Sequence, residues 1–269
     1  MPELPEVETV RLSLLPLVGG RIGKVEVREA RLRRRVADDF AQRLRLRTIE
    51  RIDRRGKYLL FRLDGGETLL AHLGMSGALL LQHAGTALET HDHVRLHMAD
   101  GRLLTFNDPR RFGLMQIGRE DDLTELTHVG PDPLAREFKV DDLVKLLRGR
   151  KKPVKNLLMD QQAIAGIGNI YANEMLFVAG IRPGREARRV TRSESAKLYE
   201  AMRRVLLRAI ERGGSSISDY RDGDGRTGYF QLELAVYDRA SEPCGRCGST
   251  IKRVVHAGRS SFYCPRCQK

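Results

Sequence analysis

The chain has 269 residues, of which 41% are hydrophobic and 31% charged, a composition typical of packed proteins and unlike that of disordered chains. Its formal net charge of +13 favours a polyanionic partner such as nucleic acid, although composition alone leaves open a basic surface without one. No apolar run approaches the roughly 18 residues of a membrane span, and the acidic start is unlike a signal peptide. We expect a cytoplasmic or nucleoid-associated protein with no membrane partner.

The first part of the chain is predicted to be a helix followed by many short strands. Apolar residues from Val7 to Val18 share one helical face, which predicts a helix ending near Gly19-Gly20. An Asp100-Gly101 pair between two β patterns predicts a tight hairpin. The predicted strands are 48–54, 58–63, 68–73, 78–82, 93–98 and 102–106. We expect a β-rich domain over 1–128.

The second part is predicted to be helical after a Gly130-Pro131-Asp132-Pro133 break. The predicted helices are 140–148, 153–162, 169–178 and 191–212, the last with a capping box formed by Thr191 and Glu194. The polar, glycine-rich segment 215–228 has the composition of a loop. We expect a second domain over 129–235 and a third over 236–269.

All four cysteines fall near the carboxyl end, in two Cys-x-x-Cys pairs separated by sixteen residues. They are Cys244, Cys247, Cys264 and Cys267. This spacing can surround one tetrahedral Zn²⁺, and four protein ligands would leave no open position for catalysis. Two disulfides or a redox pair are the alternatives, which a cytoplasmic location disfavours. The sequence predicts one structural zinc ion.

A small-residue turn precedes the predicted third helix. Gly166 and Gly168 stand just before Asn169, where free main-chain amides and the helix dipole can meet a phosphate. Lys155 on the preceding helix could add a positive charge. The same glycines also suit a plain tight turn between helices.

Five motifs resemble the formamidopyrimidine-DNA glycosylase family in order along the whole chain. They are PELPEVE at 2–8, HLGMSG at 72–77, NDPRRFG at 107–113, GIGNIYANE at 166–174 and GRSSFYCPRCQ at 258–268. The resemblance implies a multidomain α+β protein, with an N-terminal β-sandwich flanked by helices and a C-terminal helix-two-turn-helix domain carrying a four-cysteine zinc-finger hairpin. It also implies a monomer that binds double-stranded DNA containing oxidised purines or abasic sites.

The resemblance implies a bifunctional DNA glycosylase and abasic-site (AP) lyase of base excision repair, with Pro2 as the nucleophile once Met1 is removed. An α-amino pKa near 8 leaves on the order of a tenth of such an amine neutral at pH 7. Glu3 matches the acid/base carboxylate, Lys57 a functional lysine and Arg259 a phosphate contact on the zinc hairpin at the active site. Glu6 matches a second acidic residue at the site. The residues alone would suggest ordinary helix-start chemistry for the N-terminus and a solvated lysine at position 57.

The remaining site residues implied by the resemblance contact DNA. Met75, Arg110 and Phe112 would fill the gap left by a flipped nucleotide, although Met75 and Phe112 would otherwise be taken for core. His91, Lys155 and Asn169 would contact phosphates, and segment 215–228 would recognise the lesion.

Two other functions stay open at this point. The related endonuclease VIII branch shares the N-terminal proline and the zinc finger but prefers oxidised pyrimidines; the intact HLGMSG and NDPRRFG motifs favour the purine branch. A DNA-binding protein without catalysis would keep the zinc ribbon and the basic charge but form no covalent product.

Overall fold

The computed structural model describes residues 1–215, 222–226 and 228–269, which form two compact units. Unit 1 comprises Met1–His128 and Arg212–Gln231, and unit 2 comprises Val129–Glu211 and Leu232–Lys269. The chain therefore enters unit 2, returns to unit 1 and ends in unit 2. No helix within the described residues is long and apolar enough to cross a membrane.

Unit 1 is a β-sandwich of two four-stranded antiparallel sheets. The strands are β1 (Ile22–Val27), β2 (Ile49–Arg55), β3 (Tyr58–Leu63), β4 (Thr68–His72), β5 (Ala78–His83), β6 (Asp92–Met98), β7 (Arg102–Asn107) and β8 (Leu114–Gly118). One sheet has the order β1-β6-β7-β5 and the other β2-β3-β4-β8. Both sheets contribute to a single core, with Phe61 and Met115 from one and Leu96 and Phe106 from the other.

The second sheet is buried on both faces, which explains the nearly continuous apolar sequence of β3 and β4. Leu59 and Leu69 face the sandwich core, whereas Leu60 and Leu70 pack under Leu126 from the segment after β8. A strand covered on one face would alternate apolar and polar residues. The two clusters together fix the β2–β3 hairpin, whose turn carries Lys57.

The first helix is shorter than its apolar pattern predicted. α1 spans Leu4–Ser13 and is followed by a 3-10 turn, Leu15–Leu17. Pro16 has no N–H to donate to the residue four positions earlier, so an α-helix cannot continue through it. A short helix α2 (Phe40–Leu44) follows β1.

Unit 2 contains four helices and, among the residues described, one β-hairpin. They are α3 (Val140–Leu147), α4 (Val154–Leu158), α5 (Asn169–Ala179), α6 (Arg192–Glu211), β9 (Lys252–His256) and β10 (Arg259–Tyr263). α5 packs against α4, α6 and β10. The predicted capping box is confirmed, since Thr191 N donates to Glu194 Oε2 at 2.8 Å and Glu194 N to Thr191 Oγ1 at 3.2 Å. The predicted α+β fold, with a sandwich, a helical part and a cysteine-bearing hairpin, is confirmed.

Candidate functional site

The amino end of the chain lies among charged residues of unit 1. Burial lowers the pKa of the Met1 amino group, the carboxylates of Glu3 and Glu6 raise it, and the charges of Lys57 and Arg110 lower it again. Pro2, Glu3 and Lys57 are themselves buried. Unit 1 therefore brings the chain's amino terminus within electrostatic reach of Glu3, Lys57 and Arg110.

Glu6 joins this amino end to the start of segment 215–228. Its Oε2 accepts a hydrogen bond from Glu3 N at 2.8 Å, and its Oε1 accepts one from Ser215 N at 2.7 Å. Gly214 has a φ of +80°, and a Cβ there would lie 2.9 Å from Glu6 Cγ. Residues 216–221 and 227, which make up half of the predicted lesion-recognition loop 215–228, lie outside the described residues.

Asp108, in the NDPRRFG segment, connects that segment to the HLGMSG segment and to strand β6. Its side chain is 0% exposed; Oδ1 accepts from Ser76 Oγ and Oδ2 from Gly113 N, each at 2.7 Å. Its main-chain oxygen lies 2.8 Å from His93 Nε2. Asp108 was not predicted as a site residue, although an Asp before a proline in a tight turn often bonds nearby backbone N–H groups.

The residues expected to fill a gap in DNA lie in the two segments that Asp108 connects, and their side chains are accessible. Met75 is 41% exposed and Phe112 46% exposed, unusual values for large apolar side chains. The Arg110 guanidinium carbon stands 4.8 Å from the centroid of the Phe112 ring. A Cβ at Gly74 would lie 2.4 Å from the carbonyl carbon of Phe112, so the two loops touch through glycine. The ordinary core interpretation of Met75 and Phe112 does not hold.

His72 and Arg33 add to this region and were not predicted as site residues. The His72 ring packs on Tyr58 with centroids 4.8 Å apart, and its Nδ1 accepts from Gly74 N at 2.9 Å. Burial, and then the positive charges of Arg33 and Lys57, lower the pKa of His72 to about 4. The ring is therefore neutral at pH 7, with its proton on Nε2. His91, which was predicted, is exposed at the start of β6.

In unit 2 the glycine turn before α5 is held by Gln161. Its Oε1 accepts from Gly166 N at 2.9 Å, and its Nε2 donates to Ile167 O at 2.8 Å. Gly166 adopts a φ of +85°, and Asn169 begins α5 as predicted. The helix therefore presents its first turn at a rigid loop, as a phosphate site requires.

Lys155 and Arg259 stand in contrasting surroundings. Lys155 is 1% exposed, and its Nζ donates to Ser260 O at 2.6 Å and Ser261 Oγ at 2.9 Å. Arg259, next to these serines, is exposed and makes no ion pair within the described residues. Only Arg259 of this pair is accessible to a ligand.

The four cysteines form a metal site in unit 2. Their Sγ atoms all lie within 4.8 Å of one another, and the pairs Cys244–Cys267 and Cys247–Cys264 are 4.0 and 3.4 Å apart. Sulfur atoms at the corners of a Zn–S tetrahedron are about 3.8 Å apart. The donor set and spacing fit one structural Zn²⁺ held by Cys244, Cys247, Cys264 and Cys267.

An α+β protein with a four-cysteine zinc finger is the class that the fold and the metal site define. Family models match in three segments: "Formamidopyrimidine-DNA glycosylase N-terminal domain" over 1–115, "Formamidopyrimidine-DNA glycosylase H2TH domain" over 129–221, and "Zinc finger found in FPG and IleRS" over 241–269. The chain belongs to the formamidopyrimidine-DNA glycosylase family.

Individual relatives match over their full length. The formamidopyrimidine-DNA glycosylases of Ruegeria pomeroyi and Stutzerimonas stutzeri are each 47% identical, over 100% of this chain and 100% of the relative. The MutM (Fpg) structure from Thermus thermophilus is 43% identical with a TM-score of 0.87, covering 99% of this chain and 98% of that one. A Lactococcus lactis Fpg variant in complex with Fapy-dG containing DNA is 37% identical with a TM-score of 0.90, covering 100% of both.

Proposed function

We propose that this chain is a bifunctional DNA glycosylase and AP lyase of base excision repair that removes oxidised purines, 8-oxoguanine and formamidopyrimidines, from duplex DNA. The observation that carries the proposal is the position of the N-terminal amine among Glu3, Lys57 and Arg110 in a chain of this family. The substrate class follows the Lactococcus lactis relatives, which were crystallised with DNA containing Fapy-dG or an abasic site.

Removal of Met1 makes Pro2 a secondary amine. Its lone pair attacks C1′ of the damaged nucleotide, the bond from C1′ to the base breaks, and the base leaves with the bonding electrons and takes up a proton. The proline nitrogen then loses its proton, and its lone pair opens the sugar ring: the C1′–O4′ bond breaks, O4′ takes up a proton, and C1′ is left in an iminium without an N–H, which stays cationic and withdraws electrons from C2′. Loss of a C2′ proton then expels the 3′ oxygen, and a second elimination expels the 5′ oxygen.

Glu3 and Lys57 supply the proton transfers and the nearby charge. Glu3 follows the nucleophile directly in the chain and serves as the general acid and base during sugar ring opening and base departure. Lys57, on the β2–β3 turn, contacts a phosphate and can return a proton. Burial lowers the pKa of the Met1 amine at this end of the chain, and a buried amine in the same surroundings is favoured in its neutral form.

The accessible residues of both units bind the DNA. Met75, Arg110 and Phe112 fill the space that the flipped nucleotide leaves, which their exposure supports. His91, Asn169 and Arg259 contact phosphates. Lys155, expected to do the same, is buried, which does not favour a direct phosphate contact.

We further infer that the protein acts as a monomer on chromosomal DNA in the cytoplasm. Residues 1–128 would carry the chemistry, 129–235 the helical DNA-binding part with segment 215–228, and 236–269 the zinc finger. The net charge of +13 supports binding to a polyanion.

Borohydride trapping tests the mechanism. Protein shown by mass spectrometry to lack Met1 is incubated with an abasic-site duplex and sodium borohydride, which should reduce the iminium to a stable protein–DNA adduct. Protein that retains Met1 is the control and should give none. Absence of adduct from processed protein would favour a non-catalytic DNA-binding protein. Faster cleavage at thymine glycol than at 8-oxoguanine opposite cytosine would favour the pyrimidine branch.

A further inference from the structure

Lys155 is placed unlike a residue that binds phosphate from solution. Its side chain is 1% exposed, and two acceptors from β10, Ser260 O and Ser261 Oγ, receive hydrogen bonds from its ammonium group. Ser261 is itself 0% exposed. The charge of Lys155 is therefore directed into the base of the zinc hairpin.

The hydrogen bonds around Lys155 continue through Ser261 to His256. An ammonium group can only donate, so Ser261 Oγ must accept from Lys155. Ser261 Oγ also lies 2.9 Å from His256 Nδ1. Burial, followed by the charge of Lys155, lowers the pKa of His256, which favours a neutral ring whose Nδ1 can accept the Ser261 hydroxyl proton. Lys155, Ser261 and His256 form one hydrogen-bonded series.

Gly184 packs against the His256 ring, at the far end of this series of hydrogen bonds from Lys155. A Cβ at Gly184 would lie 2.6 Å from His256 Nε2, so only glycine leaves room for the ring. The residues flanking Gly184 are bonded to α4, since Val154 N donates to Arg185 O at 2.8 Å and Lys155 N to Pro183 O at 3.2 Å. The segment 183–185 therefore contacts both ends of this series of hydrogen bonds, Lys155 through its main chain and His256 through Gly184.

Arg259 is the residue that this arrangement orients. It pairs with His256 at the closed end of the β9–β10 hairpin. The two turn residues between them, Ala257 and Gly258, have φ values of 47° and 75°, typical of the tight turns that match strand twist. Fixing His256 therefore fixes where the Arg259 side chain leaves the hairpin.

We propose that Lys155 is a positioning residue: it locks the zinc hairpin through Ser261 and His256, and so aims Arg259, without binding phosphate itself. The inference rests on the proposed function in one respect, namely that Arg259 binds a DNA phosphate. Because Ser261 Oγ lies between Lys155 and His256, Ser261 has the same positioning role.

A double-mutant cycle on DNA binding tests the proposal. The variants are Lys155→Met, Ser261→Ala, Arg259→Ala and the two combinations with Arg259→Ala. Lys152→Met is the matched control, because Lys152 is exposed nearby and paired with Asp160. Each protein is titrated with a duplex carrying a tetrahydrofuran abasic-site analogue at several salt concentrations.

Loss of one phosphate contact lowers the slope of log K against log salt by about 0.9. We expect that decrease for Arg259→Ala and for Lys155→Met, with no further decrease in the double variant. Loss of one hydrogen bond in Ser261→Ala should weaken binding by roughly 2- to 10-fold, and by nothing in the Arg259→Ala background. A further slope decrease in Lys155→Met/Arg259→Ala would overturn the proposal, as would unchanged binding by Lys155→Met.

Folding and catalysis are measured by assays separate from DNA binding. Every variant is assayed for one zinc per chain; if Lys155→Met does not hold zinc, the Ser261→Ala cycle decides. The cycle measures binding alone, whereas borohydride trapping measures chemistry. If the wild-type protein gives no borohydride adduct, but the effects of the Lys155 and Arg259 substitutions on DNA binding are non-additive, the lyase proposal is wrong and the positioning role of Lys155 still holds.

Discussion

At His72 burial opposes protonation of the imidazole. Its folded-state pKa of about 4 lies below the roughly 6.5 of an unfolded chain. Between those values the unfolded chain binds a proton that the folded chain does not, so the free energy of unfolding decreases as the pH falls, by up to about 1.4 kcal/mol per pH unit. Above pH 6.5 both states are neutral at this residue and its contribution is constant.

We predict that His72→Asn reduces this pH dependence. The Asn Oδ1 can still accept from Gly74 N, but it does not titrate. Between pH 7 and pH 5 the wild type should lose about 2 kcal/mol more than the variant, measured by urea denaturation. His83→Asn, at an exposed histidine, should behave like the wild type. Equal losses in wild type and His72→Asn would contradict the assignment.

At the scale of residues, motifs singled out side chains that the structure shows to be exposed, whereas the burial of others could not be predicted from the sequence. The motifs identified Met75 and Phe112, whose exposure now agrees with a role outside the core. Nothing local separates the buried Lys155 from the exposed Lys151, because the acceptors at Ser260 and Ser261 are more than a hundred residues away. Contacts of that range cannot be inferred from spacing along one sequence.

At the scale of elements, α5 organises the chain that leads into the zinc finger. Glu174 on α5 is buried and accepts from Ala235 N at 2.8 Å, Val236 N at 2.9 Å and Tyr237 N at 2.8 Å. Burial raises the pKa of Glu174, and the three N–H groups oppose that rise by favouring the carboxylate. The segment 235–237 has its main chain bonded to one side chain.

Glu174→Ala should therefore destabilise unit 2. Buried N–H groups left without an acceptor cost about 1–3 kcal/mol each when fully desolvated, and partial exposure of Ala235 and Tyr237 reduces the total to roughly 2–4 kcal/mol. Urea denaturation measures the loss, and Glu200→Ala on the exposed face of α6 is the control. A loss no larger than that of the control would show that the three bonds are not worth a net stabilisation.

The sequence predicted helices and strands best where turn or capping residues mark their ends. The predicted 58–63 strand matches β3, and α6 begins one residue after its predicted capping threonine. β1 was missed although its Lys24–Val27 stretch alternates charged and apolar residues, as a strand covered on one face does; the alternation is short, and the partner strand β6 lies far along the chain. α4 is shorter than the predicted 153–162 because Asp160 accepts from Gln162 N and turns the chain.

Across the whole molecule, the zinc finger and the sandwich have separate cores. Cys244 and Cys264 pack with Phe177 of α5, Val236 and Phe262 in one cluster of unit 2. Among the residues that the structure describes, the sandwich core of unit 1 is formed by residues from Val7 to Ile117. Loss of zinc should therefore loosen the cluster around Cys244 and Cys264 and leave the sandwich core intact.

Chelation followed by hydrogen exchange checks this separation. A structural zinc contributes its binding free energy to folding, so its removal should free the β9–β10 hairpin and expose Phe177 and Phe262. Amides of β9 and β10 should lose protection, while those of β3 and β4 keep theirs. Binding to the tetrahydrofuran duplex should fall with the hairpin, because Arg259 is carried at its tip, and added Zn²⁺ should restore both. If protection were lost equally in β3 and β4, the two units would depend on one cooperative fold, and the zinc would support the sandwich as well as the hairpin.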